Sequence, residues 1–229
     1  MKQPIRFNMK SFLMAFGALI LMGLGVILYI QVNVGVGSWD VLHASLTEYF
    51  PSITIGNLTI QLTVGRWIMI VGTIAVLASQ LFHRNLFYLF SILTGIVQGY
   101  ITDLWGWILT EIGFIDMIQT NLLTRWFGFF IAITALGFGV SLLVRSQFPP
   151  SPIDTLTMGL LRRFNLKFNT AKFSSEFIAF VTVLLINSIH GKPFNNMGLG
   201  TIVSLFLIGQ IVAWSDHFWV RLLHLKESE

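Results

Sequence analysis

Apolar residues run along this chain in six stretches, at roughly 11–32, 57–80, 86–109, 124–144, 173–190 and 197–219. Each is long enough to cross about 30 Å of hydrocarbon at a helical rise of about 1.5 Å per residue. None shows the short alternation, about ten residues long, of a barrel strand. The pattern therefore predicts an all-α membrane protein with six transmembrane helices in a single membrane domain over residues 1–229.

Composition points the same way. Of 229 residues, 55% are hydrophobic and 10% are charged, and the mean hydropathy is +0.77. A soluble domain carries about 25% charged residues because its surface faces water. In lipid no such cover is needed, provided that backbone groups are satisfied internally. The absence of cysteine excludes disulfides, thiolate metal sites and cysteine nucleophiles. The basic segment 1–10 runs into an apolar stretch too long for a signal core, with no small-residue cleavage site. It reads as the lead-in to an uncleaved first span.

The net charge of +4 does not indicate nucleic acid, because the basic residues sit in clusters between apolar spans. Lys2, Arg6, Lys10, Arg84, Arg145, Arg162, Arg163, Lys167, Lys172, Arg221 and Lys226 all fall on one side of the predicted topology. Arg125 and Lys192 fall on the other, and Arg66 is placed within the second span. The bias puts both termini in the cytoplasm.

The two halves are related. GVGSWDVLHASL, residues 35–46, matches PPSPIDTLTMGL, residues 149–160, with Asp40 against Asp154 at an offset of 154 − 40 = 114. Gly23 with Gly137 and Gly25 with Gly139 keep that offset, and Asp103 approaches Asp216 near the ends of the third and sixth spans. Matching spacing, hydropathy and topological position predict a duplication of 11–110 as 124–220. Three spans per copy is an odd number, so the second copy lies inverted in the membrane. After its first span each copy has a short segment, 39–50 or 153–164, that follows a break at Gly35 and Gly37 or at Pro149, Pro150 and Pro152. Paired short, interrupted segments are the usual sequence pointer to a transporter's binding site.

The Gly-x-x-x-Trp-Asp-Val-Leu run, the ITIGNLTIQLTVG stretch after it and the GLGT at 198–201 resemble the YczE/YitT-type bacterial membrane proteins. The resemblance covers most of the chain. It implies this membrane fold and a bacterial inner membrane, and it supplies no substrate. Family members carry proline before the Trp-Asp pair; here Ser38 stands there, and Pro152 fills the equivalent place in the second half.

Ser151, Pro152 and Asp154 fit a helix start, with Ser as N-cap, Pro at N1 and acid at N3. Gly37, Ser38 and Asp40 occupy the same positions in the first half. Both aspartates could simply cap surface helices, or the helices could re-enter the bilayer and present these ends to a cavity. A bare N-terminus favours an anion, but acid at N3 opposes that field and leaves the sign of a ligand open. Arg66, placed in hydrocarbon, needs a counter-charge, for which Asp40, Asp103 and Glu176 are candidates. Asp103 and Asp216 read individually as solvated interfacial groups. Trp39, beside the break, fits either a cavity lining or an interface anchor. The five histidines show no metal-ligand spacing, and no nucleophile-elbow, zinc-protease or P-loop motif occurs, so neither an enzyme nor a cofactor is expected.

The residues expected on a substrate or ion pathway are thus Trp39, Asp40, Arg66, Asp103, Asp154, Glu176 and Asp216. Gly35, Gly37, Ser38, Ser151 and Pro152 form the helix breaks. The leading expectation is a small secondary transporter or channel-like carrier of a small polar or ionic solute. The competing one is a non-transporting accessory protein for a membrane enzyme or export complex, docking through the basic 145–172 segment. The expected partners are the lipid bilayer and a small solute, with a homo-oligomer or a membrane-protein partner left open. A reporter fused near Asp116 should read out as external; a cytoplasmic readout would overturn the orientation.

Overall fold

A computed structural model describes residues 9–223. The basic residues Lys2, Arg6 and Lys226, used above for orientation, lie outside them. The elements, in order, are α1 (Met9–Gln31), α2 (Ser38–Tyr49), β1 (Ser52–Ile55), β2 (Leu58–Gln61), α3 (Val64–Phe82) and α4 (Ser91–Glu111). They continue with α5 (Phe114–Gln119), α6 (Leu122–Arg145), α7 (Pro152–Phe164), α8 (Phe168–Ile189) and α9 (Leu199–Leu222). A 3-10 turn, Leu86–Phe90, leads into α4. Among the described residues, five helical segments are long and apolar enough to cross a membrane: α1, α3, α4 with its 3-10 turn, α6 and α8. The chain is a multi-pass helical membrane protein.

The second apolar stretch is not one helix. Residues 52–61 form an antiparallel hairpin, with Ile53 opposite Ile60 and Ile55 opposite Leu58. Both strands are fully exposed. Ile53, Ile55, Leu58 and Ile60 alternate with Thr54, Thr59 and Gln61, the period of a strand and not of a helix. Gly56, at φ +60°, supplies the positive φ that a two-residue hairpin turn of the II′ class takes at its first position. Helix α3 therefore begins at Val64, after the cap Thr63, whose hydroxyl accepts the Arg66 N–H.

The central pair is α1 and α6, the most buried of the spanning helices, which cross antiparallel through small residues. A side chain on Gly25 would strike the Ala132 carbonyl oxygen at 2.9 Å and Leu136 at 2.6 Å. One on Gly139 would strike the Ala18 carbonyl oxygen at 2.9 Å and Met22 at 2.6 Å. Without a hydrophobic driving force between helices in lipid, such close backbone approach supplies much of the association energy. Around this pair α4 packs on α1, α9 on α6, α7 on α3 and α2 on α8. Helix α3 packs along α4, whereas α8 and α9 barely touch.

Gly25→Ala and Gly139→Ala should each destabilise the detergent-solubilised protein by about 1–3 kcal/mol, the usual cost of overpacking. Gly209→Ala, where nothing lies within 4 Å, should leave the thermal midpoint unchanged or slightly raised.

Candidate functional site

Each short helix begins partway along a long helix of the other half and follows it to its end. Pro152, at the start of α7, fits into space that Gly72 on α3 and Gly95 on α4 leave open; a Cβ on Gly95 would meet it at 2.7 Å. Further along, Gly159 packs on Ser79, and Phe164 reaches Phe82 with ring centroids 6.1 Å apart. Buried hydroxyls fasten the start of α7. Thr155 Oγ1 donates to Ser91 Oγ at 2.8 Å, Ser79 Oγ to the Thr155 carbonyl at 2.9 Å and Thr94 Oγ1 to the Pro150 carbonyl at 3.1 Å.

Helix α2 follows α8 in the same sense. At its start Ser38 lies near the Glu176 carboxylate. At its end Tyr49 stacks on His190, with ring centroids 4.0 Å apart and planes within 7°. From residue 176 to 190 is about 21 Å of helix. The C-terminal end is clasped by Glu48, which accepts from Asn195 Nδ2 at 2.6 Å and pairs with Lys192 at 3.4 Å. Partial burial would raise the Glu48 carboxyl, but hydrogen bonds from Asn195, Asn196 and Lys192 outweigh it and hold it below its ordinary value.

The segment before α2 is pinned to the start of α9. Gly35 takes φ +103°, and a Cβ there would lie 2.5 Å from Gly198 N. The Gly200 N–H donates to the Val34 carbonyl at 2.7 Å. Two sequence features far apart in the chain, the Gly-x-Gly break and the Gly-Leu-Gly-Thr run, are thus one contact in which no side chain fits.

The starts of α2 and α7 converge on α8. Lys172, in its second turn, pairs with Asp154 at 3.2 Å and with Glu176, one turn on, at 3.6 Å. Asp154 is further held by Ser151, whose hydroxyl donates to Asp154 Oδ2 at 2.8 Å and accepts the Asp154 N–H at 3.2 Å. Asp40 lies in the field of Glu176 and Lys172. Its N-cap position is Gly37, which offers no side chain, and Asp40 makes no hydrogen bond or ion pair among the described residues. The two related aspartates therefore differ: Asp154 is fully engaged and Asp40 is not.

Several buried polar atoms of α1 and α2 have no partner. Tyr29 Oη, Trp39 Nε1, His43 Nδ1 and Ser45 Oγ have no hydrogen-bond partner among the described residues. Tyr29 is 3% exposed, and it lies near Ser204 on α9. Trp39 is an interior residue, 8% exposed.

Three expected pathway residues are not brought to this cluster. Arg66 lies in the first turn of α3, is exposed, and donates to the Gln61 carbonyl at the end of the hairpin. The misplaced start of the second span put it in hydrocarbon. Asp103 caps α3 from α4, accepting from Thr63 Oγ1 at 2.6 Å and from the Gly65 N–H at 2.9 Å. Asp216 takes a bidentate pair from Arg145, at 2.5 and 2.6 Å. Both aspartates join helix to helix instead of standing as solvated interfacial groups. Conversely, Lys172 belongs to the cluster and was not foreseen, nor was the approach of Tyr29 to Ser204. The i, i+4 spacing of Lys172 and Glu176 is a legible signal, obscured because the span was expected to start at 173. A tyrosine near a span end reads as an aromatic belt, so nothing in the sequence singles out Tyr29.

Fold and cluster together define a multi-pass membrane protein with charged groups gathered where two short helices begin. The chain belongs to a family of unknown function, DUF6198, whose model matches residues 9–217. Similar proteins include YyaS, described as an uncharacterized protein, and the uncharacterized membrane protein YczE, both of Bacillus subtilis. YyaS is 26% identical over 204 residues, covering 89% of this chain and 90% of its own. YczE is 26% identical over 210 residues, covering 91% and 86%. A Haemophilus influenzae protein is 30% identical over 106 residues, under half of either chain. No solved structure matches the chain.

If Asp103 serves as a cap, Asp103→Ala should lower thermal stability by about 0.5–2 kcal/mol, the worth of such a cap. Asp103→Asn, which keeps one oxygen for the Gly65 N–H, should lose less.

Proposed function

We propose that the chain is a small secondary transporter or channel-like carrier of a polar or ionic solute, working by alternating access between two inverted halves. The observation that carries this reading is that α2 and α7, one from each half, both pack on α8, where Lys172 pairs with Glu176 and Asp154. Half-helix ends that meet at a charged site within the membrane are the common construction of such carriers.

Inversion is supported by the central crossing. Gly25 meets residues 132 and 136 while Gly139 meets 18 and 22, so every contact maps onto its partner under the offset of 114. The antiparallel course of α1 and α6 fits three spans per half. Helix α9, 24 residues long and thus about 36 Å, packs on α6 as α4 packs on α1 and serves as the sixth span. On this reading α2 re-enters from the outside and α7 from the cytoplasm, both termini are cytoplasmic, and the protein sits in a bacterial inner membrane. The docking surface required of an accessory protein is reduced, because Arg145 and Lys172 are engaged internally and Arg162 contacts His83 and lies over Tyr88.

The chain has no native cysteine, so one introduced thiol reports access directly. Gly37 has φ −64° and only ordinary contacts, so Gly37→Cys is tolerated by the backbone. Alternating access predicts that a membrane-impermeant maleimide labels it in both right-side-out and inside-out vesicles. Labelling from one face only, or from neither, would contradict the mechanism.

A further inference from the structure

We propose that the β1–β2 hairpin lies along the bilayer surface where α3 enters it, with its four aliphatic side chains among the upper acyl chains and Arg66 at the level of the lipid phosphates. Such a contact would serve a carrier and an accessory protein alike.

The hairpin has two unlike faces. Ile53 stands opposite Ile60 and Ile55 opposite Leu58, so all four point to one side, and they are 36–66% exposed. On the other side are Thr54 and Thr59, whose hydroxyls lie 3.2 Å apart, with Ser52 and Gln61. An exposed aliphatic patch rimmed by polar residues marks an interaction surface. The backbone narrows what the patch can meet. Among the described residues the sheet has two strands, so each outer edge carries N–H and C=O groups with no strand to pair. Open edges of this kind do not occur in hydrocarbon. An apolar face that avoids water and edges that require it are both satisfied at the boundary of headgroups and acyl chains.

Position and charge agree with this. Only Leu62 and Thr63 separate the hairpin from α3, whose exposed Ile70, Ile74, Leu77 and Leu81 follow one helix face as a lipid-facing stripe does. The hairpin therefore continues the lipid-covered exterior at the end of that helix. Its base is fixed: the Leu62 N–H donates to the Pro51 carbonyl at 2.6 Å, and Phe50 meets Trp67 edge-on with centroids 6.4 Å apart. Aromatic side chains of this kind are enriched at membrane interfaces. No residue from 49 to 65 is charged. The next is Arg66, which is exposed, forms no ion pair among the described residues and gives one donor to the Gln61 carbonyl. Its guanidinium has further N–H groups for phosphate oxygens. A second copy is a poorer occupant, because four partly exposed side chains fall well short of the about 800 Å² per partner of a stable interface.

The test uses single nitroxide labels on Ile55→Cys and Leu58→Cys, on the apolar face, and on Thr54→Cys and Thr59→Cys, on the polar one. All four positions are exposed, so the labelled proteins should keep the thermal midpoint of the unmodified chain. The full chain is placed in nanodiscs containing phosphatidylglycerol, where both membrane faces are open to buffer. Collision of each label is then measured with oxygen, which concentrates among acyl chains, and with a neutral, water-soluble nickel chelate. The ratio of oxygen to nickel collisions should be several-fold higher for the apolar-face labels than for the polar-face ones. Arg66→Gln should shift the Leu58→Cys label toward water by about fivefold, the worth of one basic residue at an anionic lipid surface, and Arg66→Lys, which keeps the charge, should not. Apolar-face labels as open to nickel as the polar-face ones would place the patch in water. Labels shielded from both reagents, or a disulfide forming readily between copies of unlabelled Leu58→Cys, would place protein over it. Either result would overturn the proposal, and an unchanged label in Arg66→Gln would overturn the part given to Arg66.

Discussion

A helix that starts against the flank of a longer helix brings free N–H groups and, here, a carboxylate that need partners from its neighbours. The arrangement around α8 answers this constraint. In the second half the start of α7 is closed off: Ser151 caps it, Lys172 neutralises Asp154, and hydroxyls of α3 and α4 bind its first turn. At the start of α2 the cap position is Gly37, Ser38 stands where α7 has Pro152, and Asp40 has no hydrogen bond or ion pair among the described residues. One start is engaged by its neighbours and the other is less so. Chemistry is therefore expected at the less engaged one.

Glycine makes the positions of both starts attainable. Gly72 and Gly95 admit Pro152 to the interior, and Gly35 with Gly198 brings the segment before α2 against α9. The same device holds the centre, where Gly25 and Gly139 let α1 and α6 cross at backbone distance. Carboxylates then act as rivets between helices at the edges, Asp103 across α3 and α4 and Asp216, paired with Arg145, across α6 and α9. The ionisable groups of the bundle thus divide into those that hold helices together and those that gather around the helix starts.

Much of this was legible in the sequence, because membrane helices announce themselves by length and hydropathy, and because Ser-x-x-Asp and Gly-x-x-Asp mark helix starts. The breaks at Gly35 and Gly37 and at Pro152 fell where the structure has them. What failed had a physical cause in each case. Residues 57–63 are apolar enough to extend a span, but their alternation belongs to a hairpin, and that error moved Arg66 into the membrane. Asp103 and Asp216 looked interfacial because no linear pattern shows that a carboxylate reaches a helix 40 residues earlier or an arginine 71 residues away. Tyr29 and Ser204 are ordinary residues in ordinary apolar helices, and only the fold brings them near each other.

The central claim is that the short helices begin within the bundle and do not lie on its surface. A Cβ at Gly72 would stand 3.1 Å from that of Pro152, near the separation that a disulfide spans, and Gly72 is eight residues into α3 from Val64. The most direct measurement is therefore oxidative crosslinking of the Gly72→Cys, Pro152→Cys double variant in native membranes. Rapid, near-complete disulfide formation is the predicted result. Free thiols under the same oxidant, in a protein that is inserted and folded, would place α7 elsewhere and contradict the account.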